Sequence, residues 1–100
     1  MKTEQEVYDI IQSEVEYARQ KWENDPTRPI KDAGKSVEFW IAHAENYLHR
    51  ARMACYGTDK TEAFDNLRKL MGLLVRAFMF SEFARKRTQQ QAKENSDDNY

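Results

Sequence analysis

The chain has one cysteine, three glycines and two prolines among its 100 residues, and each scarcity removes a class of structure. A lone cysteine, Cys55, permits neither an internal disulfide nor a multi-cysteine metal site. It falls on the apolar side of a helical pattern, so a reduced, buried thiol is expected, without the electropositive, exposed setting of a nucleophile. So few turn-forming residues, and no sustained alternation of apolar and polar positions, argue against sheets and hairpins; the expected fold is all-α. There is no apolar run of 18 residues and no signal-peptide pattern, so no membrane association is expected and the expected location is the cytoplasm. A net charge of −1 excludes a general electrostatic grip on nucleic acid. Glycine-rich phosphate loops, GxSxG elbows and HExxH helices are also missing.

What is present is helical periodicity in a polar chain, with 40% hydrophobic and 33% charged residues. A chain of this size makes one domain with a modest core, here residues 1–85 followed by a polar tail at 86–100. Thr3 and Glu6 form an S/T-x-x-E capping box that starts a first helix. Val7, Ile10, Ile11, Val15, Ala18 and Trp22 give it an apolar stripe through to about Glu23. Glu14 interrupts that stripe, and a buried carboxylate costs several kcal/mol unless it is paired. Three readings stand: Glu14 lies at the frayed edge of the stripe and pairs with Lys21 or a residue of the second helix, it faces a ligand, or the helix phase differs from the one drawn.

Residues 24–35 carry both prolines and stop the first helix. A linker this long is often functional, and its Arg28, Lys31 and Lys35 are candidates for phosphate contact or simple solvation. The second helix runs from Ser36, a cap, to Gly57, a left-handed terminator. Its stripe is Val37, Trp40, Ile41, Ala44, Leu48, Ala51 and Cys55, with Glu38, Glu45 and Arg52 along one margin. His43 and His49 point in different directions and cannot share a metal; His49 is placed to pair with Glu45. Asp59 and Glu62 open a third helix from about Lys60 past Phe83, with Ala63, Leu67, Leu70, Leu74, Ala77 and Phe78 as its main stripe. Leu73, Met79, Phe80 and Phe83 reach round its other side, so a second copy is expected to cover it as a homodimer or higher homo-oligomer. Asp65, Lys69 and Arg76 point toward solvent or that partner. Beyond Phe83 the helix is extended for a few turns at most, and the last eight residues are expected to be disordered.

Helical bundles hold Mg²⁺ with carboxylates from facing helices, because a hard cation prefers oxygen. Glu14, Glu38 and Glu45 are the candidates. Lys21 and Arg52 would meet phosphates, and Trp22, Trp40 and Tyr47 would stack on a base or pack in the core, the core being the preferred reading for Trp40.

The segments IIQSEVEYARQKWEN, SVEFWIAHAENYLHRARMACYG and EAFDNLRKLMGLLVRA, spread over about residues 8 to 80, resemble small, mostly phage-encoded MazG-like proteins of the all-α nucleoside triphosphate pyrophosphohydrolase group. Glu14, Glu16, Lys21 and Trp22 fall on the E-x-E-R-x-x-x-K-W form of its first helix. Ser36, Trp40, Glu45, Tyr47, Leu48, Ala51, Arg52 and Ala54 fall on the form of its second. The resemblance implies an oligomeric helical fold that handles nucleotides, with Mg²⁺ held by E-E-x-x-E on one helix and E-x-x-D on the next. Glu45 stands for the first carboxylate, but Asn46 and His49 occupy positions where that pattern is acidic, and Glu62 and Asp65 supply the E-x-x-D spacing. The expectation is therefore a MazG-like protein that binds a nucleotide or nucleotide-derived signal through Glu14, Lys21, Trp22, Glu38, Glu45 and Arg52, with little or no hydrolysis and either no cofactor or Mg²⁺. The alternatives are an active Mg²⁺-dependent pyrophosphohydrolase and a non-enzymatic phage protein acting in the host cytoplasm, docking a host protein on Met79, Phe80 and Phe83.

Overall fold

A computed structural model describes residues 1–21, Asp25, Thr27, Asp32 and residues 34–88. The described residues are all-α, with no strand: α1 is Glu4–Lys21, α2 is Val37–Ala54 and α3 is Thr61–Phe80. None of these helices is long and apolar enough to cross a membrane.

The helix starts follow from side chains that accept backbone N–H groups. At α1 the capping box closes both ways, Glu6 N–H donating to Thr3 Oγ1 at 3.1 Å and Thr3 N–H to Glu6 Oε1 at 3.4 Å. At α2, Ser36 is extended and its Oγ accepts from Phe39 N–H at 3.2 Å. Before α3, Asp59 Oδ1 accepts from Thr61 N–H at 2.9 Å. Hydrogen bonds from the Thr61 side chain and backbone together hold the Asp59 carboxyl below its ordinary pKa.

The ends differ from expectation. α2 closes at Ala54 with Cys55 in the right-handed region, and Gly57 has no positive φ. The Lys60 ammonium donates to the carbonyls of Cys55 and Gly57, so the loose carbonyls are satisfied without a left-handed residue. Cys55 is exposed, not buried. α3 stops at Phe80, because Ser81 is extended and its Oγ takes the N–H of Phe83 at 3.2 Å; residues 81–88 are not helical.

α3 is the central element. It packs against both α1 and α2, which make no packing contact with each other among the described residues. Leu70, Leu73 and Ala77 meet Trp40, Ala44 and Tyr47 of α2. Gly72 and Arg68 meet Glu14 of α1. At 100° per residue those two contact directions lie about 150° apart round α3, so the helices form one layer with α3 in the middle. The layer buries little: Trp40, Ala51, Ala63, Leu73 and Ala77 form its apolar interior, and α1 contributes no buried residue.

The buried face of α2 is turned from the expected one. Trp40, Ala44, Tyr47 and Ala51 pack inward, while Val37 is 63%, Ile41 51% and Leu48 54% exposed. The apolar arc of this helix is wider than α3 can cover, and α3 takes only one side of it.

Candidate functional site

Between α1 and α2, over the middle of α3, lies a cleft of about 270 Å³. Glu14, Tyr17 and Lys21 come from α1, Tyr47 and Arg50 from α2, and Lys69 and Arg76 from α3, with Gly72 and Leu73 beneath. Four cations against one carboxylate make it basic, although the whole chain carries −1.

Two of those charges are already engaged. Glu14 Oε2 accepts from Arg68 Nε at 3.1 Å, with the Glu14 side chain only 15% exposed. Arg76 Nη2 donates to Asp32 Oδ2 at 3.1 Å and its guanidinium lies 5.5 Å from the Trp40 ring centroid. The Asp32–Arg76 pair is well covered, the two side chains being 5% and 16% exposed. Lys21, Arg50 and Lys69 are the cations with exposed side chains on the cleft. The Arg50 guanidinium sits 5.7 Å from the Tyr47 ring centroid. Planar guanidinium groups and ammonium points held over a concave surface suit a phosphate or another polyanion, and tyrosine faces suit a planar ring.

Of the residues expected at a site, Glu14, Lys21 and Tyr47 line this cleft and Glu38, Glu45 and Arg52 do not. The last three are exposed, and on α2 they point about 150° away from the Trp40–Tyr47 side, beyond the bare apolar arc. On the sequence pattern they border a stripe running from Trp40 and Ala51 round to Ile41 and Leu48, of which only the Trp40–Ala51 side packs on α3. Trp22 lies outside the described residues, as do Arg28, Lys31 and the chain after residue 88. Trp40 is core, 6% exposed. Glu14 is paired with Arg68, and not with Lys21 or a residue of α2. Arg76 faces inward to Asp32 instead of outward.

The described residues do not fit a Mg²⁺ ion. Glu14, Glu38 and Glu45 do not converge, and no group of three or more His, Cys, Asp or Glu that could hold a metal occurs among the described residues. Glu62 and Asp65 line a second cleft with His49, which adjoins the first through the shared Arg50 and Lys69. There Asp65 Oδ1 is held 3.4 Å from Arg68 Nη1.

Tyr17, Arg50 and Arg68 were missed. A signal for the α1–α3 contact was available in Gly72, which sits inside the apolar run LMGLLV where glycine costs about 1 kcal/mol against alanine. Such a glycine marks a close approach, here by Glu14.

Comparison with protein-family models, with curated proteins and with solved structures gives no match.

Proposed function

We propose that the chain binds a nucleotide or nucleotide-derived signal, as a MazG-like protein with little or no hydrolysis, and that it does so in the cleft between α1 and α2. The observation that carries this reading is the gathering of Lys21, Arg50, Lys69 and Arg76 with Tyr17 and Tyr47 around one concavity. Phosphates would meet the exposed cations, and the base would lie against a tyrosine. The low count of converging carboxylates among the described residues supports holding over cutting, since Mg²⁺-assisted attack on a phosphoanhydride needs several oxygen ligands at one point.

Calorimetric titration with nucleoside triphosphates and cyclic nucleotides tests the reading. Heat is expected for at least one of them, and Arg50→Ala is expected to weaken that ligand about tenfold or more, the worth of one charge-assisted hydrogen bond. No heat across the panel overturns it. One observation favours the active alternative: Glu62 and Asp65, at the E-x-x-D spacing, line the adjoining cleft. Pyrophosphate release with Mg²⁺ or Mn²⁺ that disappears in Asp65→Asn would establish that alternative in place of simple binding.

A further inference from the structure

One side chain ties up the carboxylates nearest the cations of the cleft. Arg68 donates from Nε to Glu14 Oε2 at 3.1 Å and holds Nη1 3.4 Å from Asp65 Oδ1. Glu14 belongs to α1 and Asp65 to α3, so the guanidinium bridges acids of two packed helices. A divalent cation would bridge such carboxylates in a metal site, and here a fixed organic cation does so. Glu14 lines the cleft and Asp65 lines the one that adjoins it. The cations of the cleft are less well matched. Among the described residues Lys21, Arg50 and Lys69 have no ion-pair partner, whereas Arg76 has Asp32 and Glu14 has Arg68. Three uncompensated positive charges therefore face one concavity, one from each helix.

We infer that the cleft takes its ligand free of metal, as a nucleoside di- or triphosphate in its fully charged form, and that Mg²⁺ competes with the protein for that ligand instead of joining the two. This rests on the nucleotide-binding reading and goes past it, to the ionic form that is bound and to control of binding by free Mg²⁺.

The charges decide between the two forms. A triphosphate near neutral pH carries about four negative charges, and one Mg²⁺ cancels about two of them. The chelated form also keeps several of the metal's waters, and sites that accept it supply one or two carboxylates for the ion. This cleft offers one carboxylate, already taken by Arg68, and cations that repel a metal. The bare polyphosphate instead meets a partner at each exposed cation: ammonium groups at Lys21 and Lys69, and a planar fork at Arg50. A chain of phosphates engages cations from three helices better than a single phosphate does.

Titration calorimetry of the full chain with ATP and GTP, in EDTA and again with excess Mg²⁺ at matched ionic strength, tests the inference. The dissociation constant is expected to be about tenfold or more higher with Mg²⁺, the loss of one charge-assisted hydrogen bond. An exchange-inert cobalt(III) complex of ATP, which carries its own metal, is expected to bind as weakly even in EDTA, which assigns the effect to the ligand and not to Mg²⁺ acting on the protein. Equal or tighter binding with Mg²⁺ overturns the inference and leaves the nucleotide reading standing. So does a cobalt complex that binds as well as free ATP, or binding confined to cyclic nucleotides, which chelate Mg²⁺ poorly. No binding in either condition, cyclic nucleotides included, removes both. Arg68→Gln frees Glu14 and Asp65, and the ratio of the two dissociation constants is expected to fall below that of the wild type. An unchanged ratio, in a variant that circular dichroism shows to be folded, overturns the part given to Arg68. The wild-type titrations decide the rest even if that variant fails to fold.

Discussion

Adding a methyl group at Gly72 tests the contact that joins α1 to the rest of the layer. A Cβ built there lies 2.6 Å from Glu14 Cγ, 3.4 Å from its Cβ and 3.8 Å from its Cδ. Carbon atoms rest about 3.5–4.0 Å apart, so Cγ must retreat by about 1 Å. Rotation of Glu14 about its side-chain bonds achieves that, but carries Oε2 away from Arg68 Nε, now 3.1 Å distant. Three terms then compete. Alanine in a helix interior gains about 1 kcal/mol over glycine. Overpacking costs about 1–3 kcal/mol. The ion pair, with Arg68 39% exposed and so partly screened, is worth up to about 1 kcal/mol. The cost exceeds the gain, and Gly72→Ala is expected to destabilise by about 1–2 kcal/mol, lowering Tm by about 5–10 °C. Thermal melts followed by far-ultraviolet circular dichroism measure it. The control is a double-mutant cycle: once Glu14→Ala has removed Cγ, the same Gly72→Ala change is expected to stabilise by about 1 kcal/mol. An unchanged or raised Tm in the wild-type background, or the same loss in both backgrounds, would refute the close approach as the cause.

Asp32→Ala is expected to cost about 1.5–3 kcal/mol in urea unfolding, because it removes a charge-assisted hydrogen bond from a well-covered pair. Glu16→Ala, which removes an ion pair whose two side chains are 65% and 42% exposed, is expected to cost less than about 1 kcal/mol; equal costs would show that the first pair is not buried. Asp59 has a lowered folded-state pKa, so its contribution is complete above the unfolded value of 3.8 and is lost as pH falls through the folded one. The stability gap between wild type and Asp59→Ala is thus expected to be constant from neutral pH down to about that value and to close below it; a gap that widens in acid would reverse the sign of the argument.

Local signals were legible and long-range ones only partly so. The Thr3–Glu6 box and the Ser36 cap are visible in sequence because a cap involves residues three apart and no tertiary partner. Glu14 was legible as a carboxylate out of place, since burial of a charge is a problem whatever solves it. Its partner was not legible, because Arg68 is 54 positions away and several cations could have served. The buried face of α2 is not legible for a different reason. A broad arc contains two seams, and periodicity alone cannot say that Trp40 and Tyr47 serve the core while Val37, Ile41 and Leu48 stay bare. Moving the arc's centre moved Glu38, Glu45 and Arg52 out of the site and brought in Arg50.

α1 buries none of its residues and, among the described helices, rests on α3 alone. It is therefore the element with the least free energy holding it down, and its amides are expected to exchange with solvent through a partial opening well before those of α2 and α3. Because Glu14, Tyr17 and Lys21 form one wall of the cleft, that opening also takes the cleft apart. A ligand seated there binds only molecules with α1 docked, so its apparent affinity is set partly by how often the helix is down. Saturating such a ligand would slow exchange along α1 first, leaving a record of occupancy in an element that contributes little to the core.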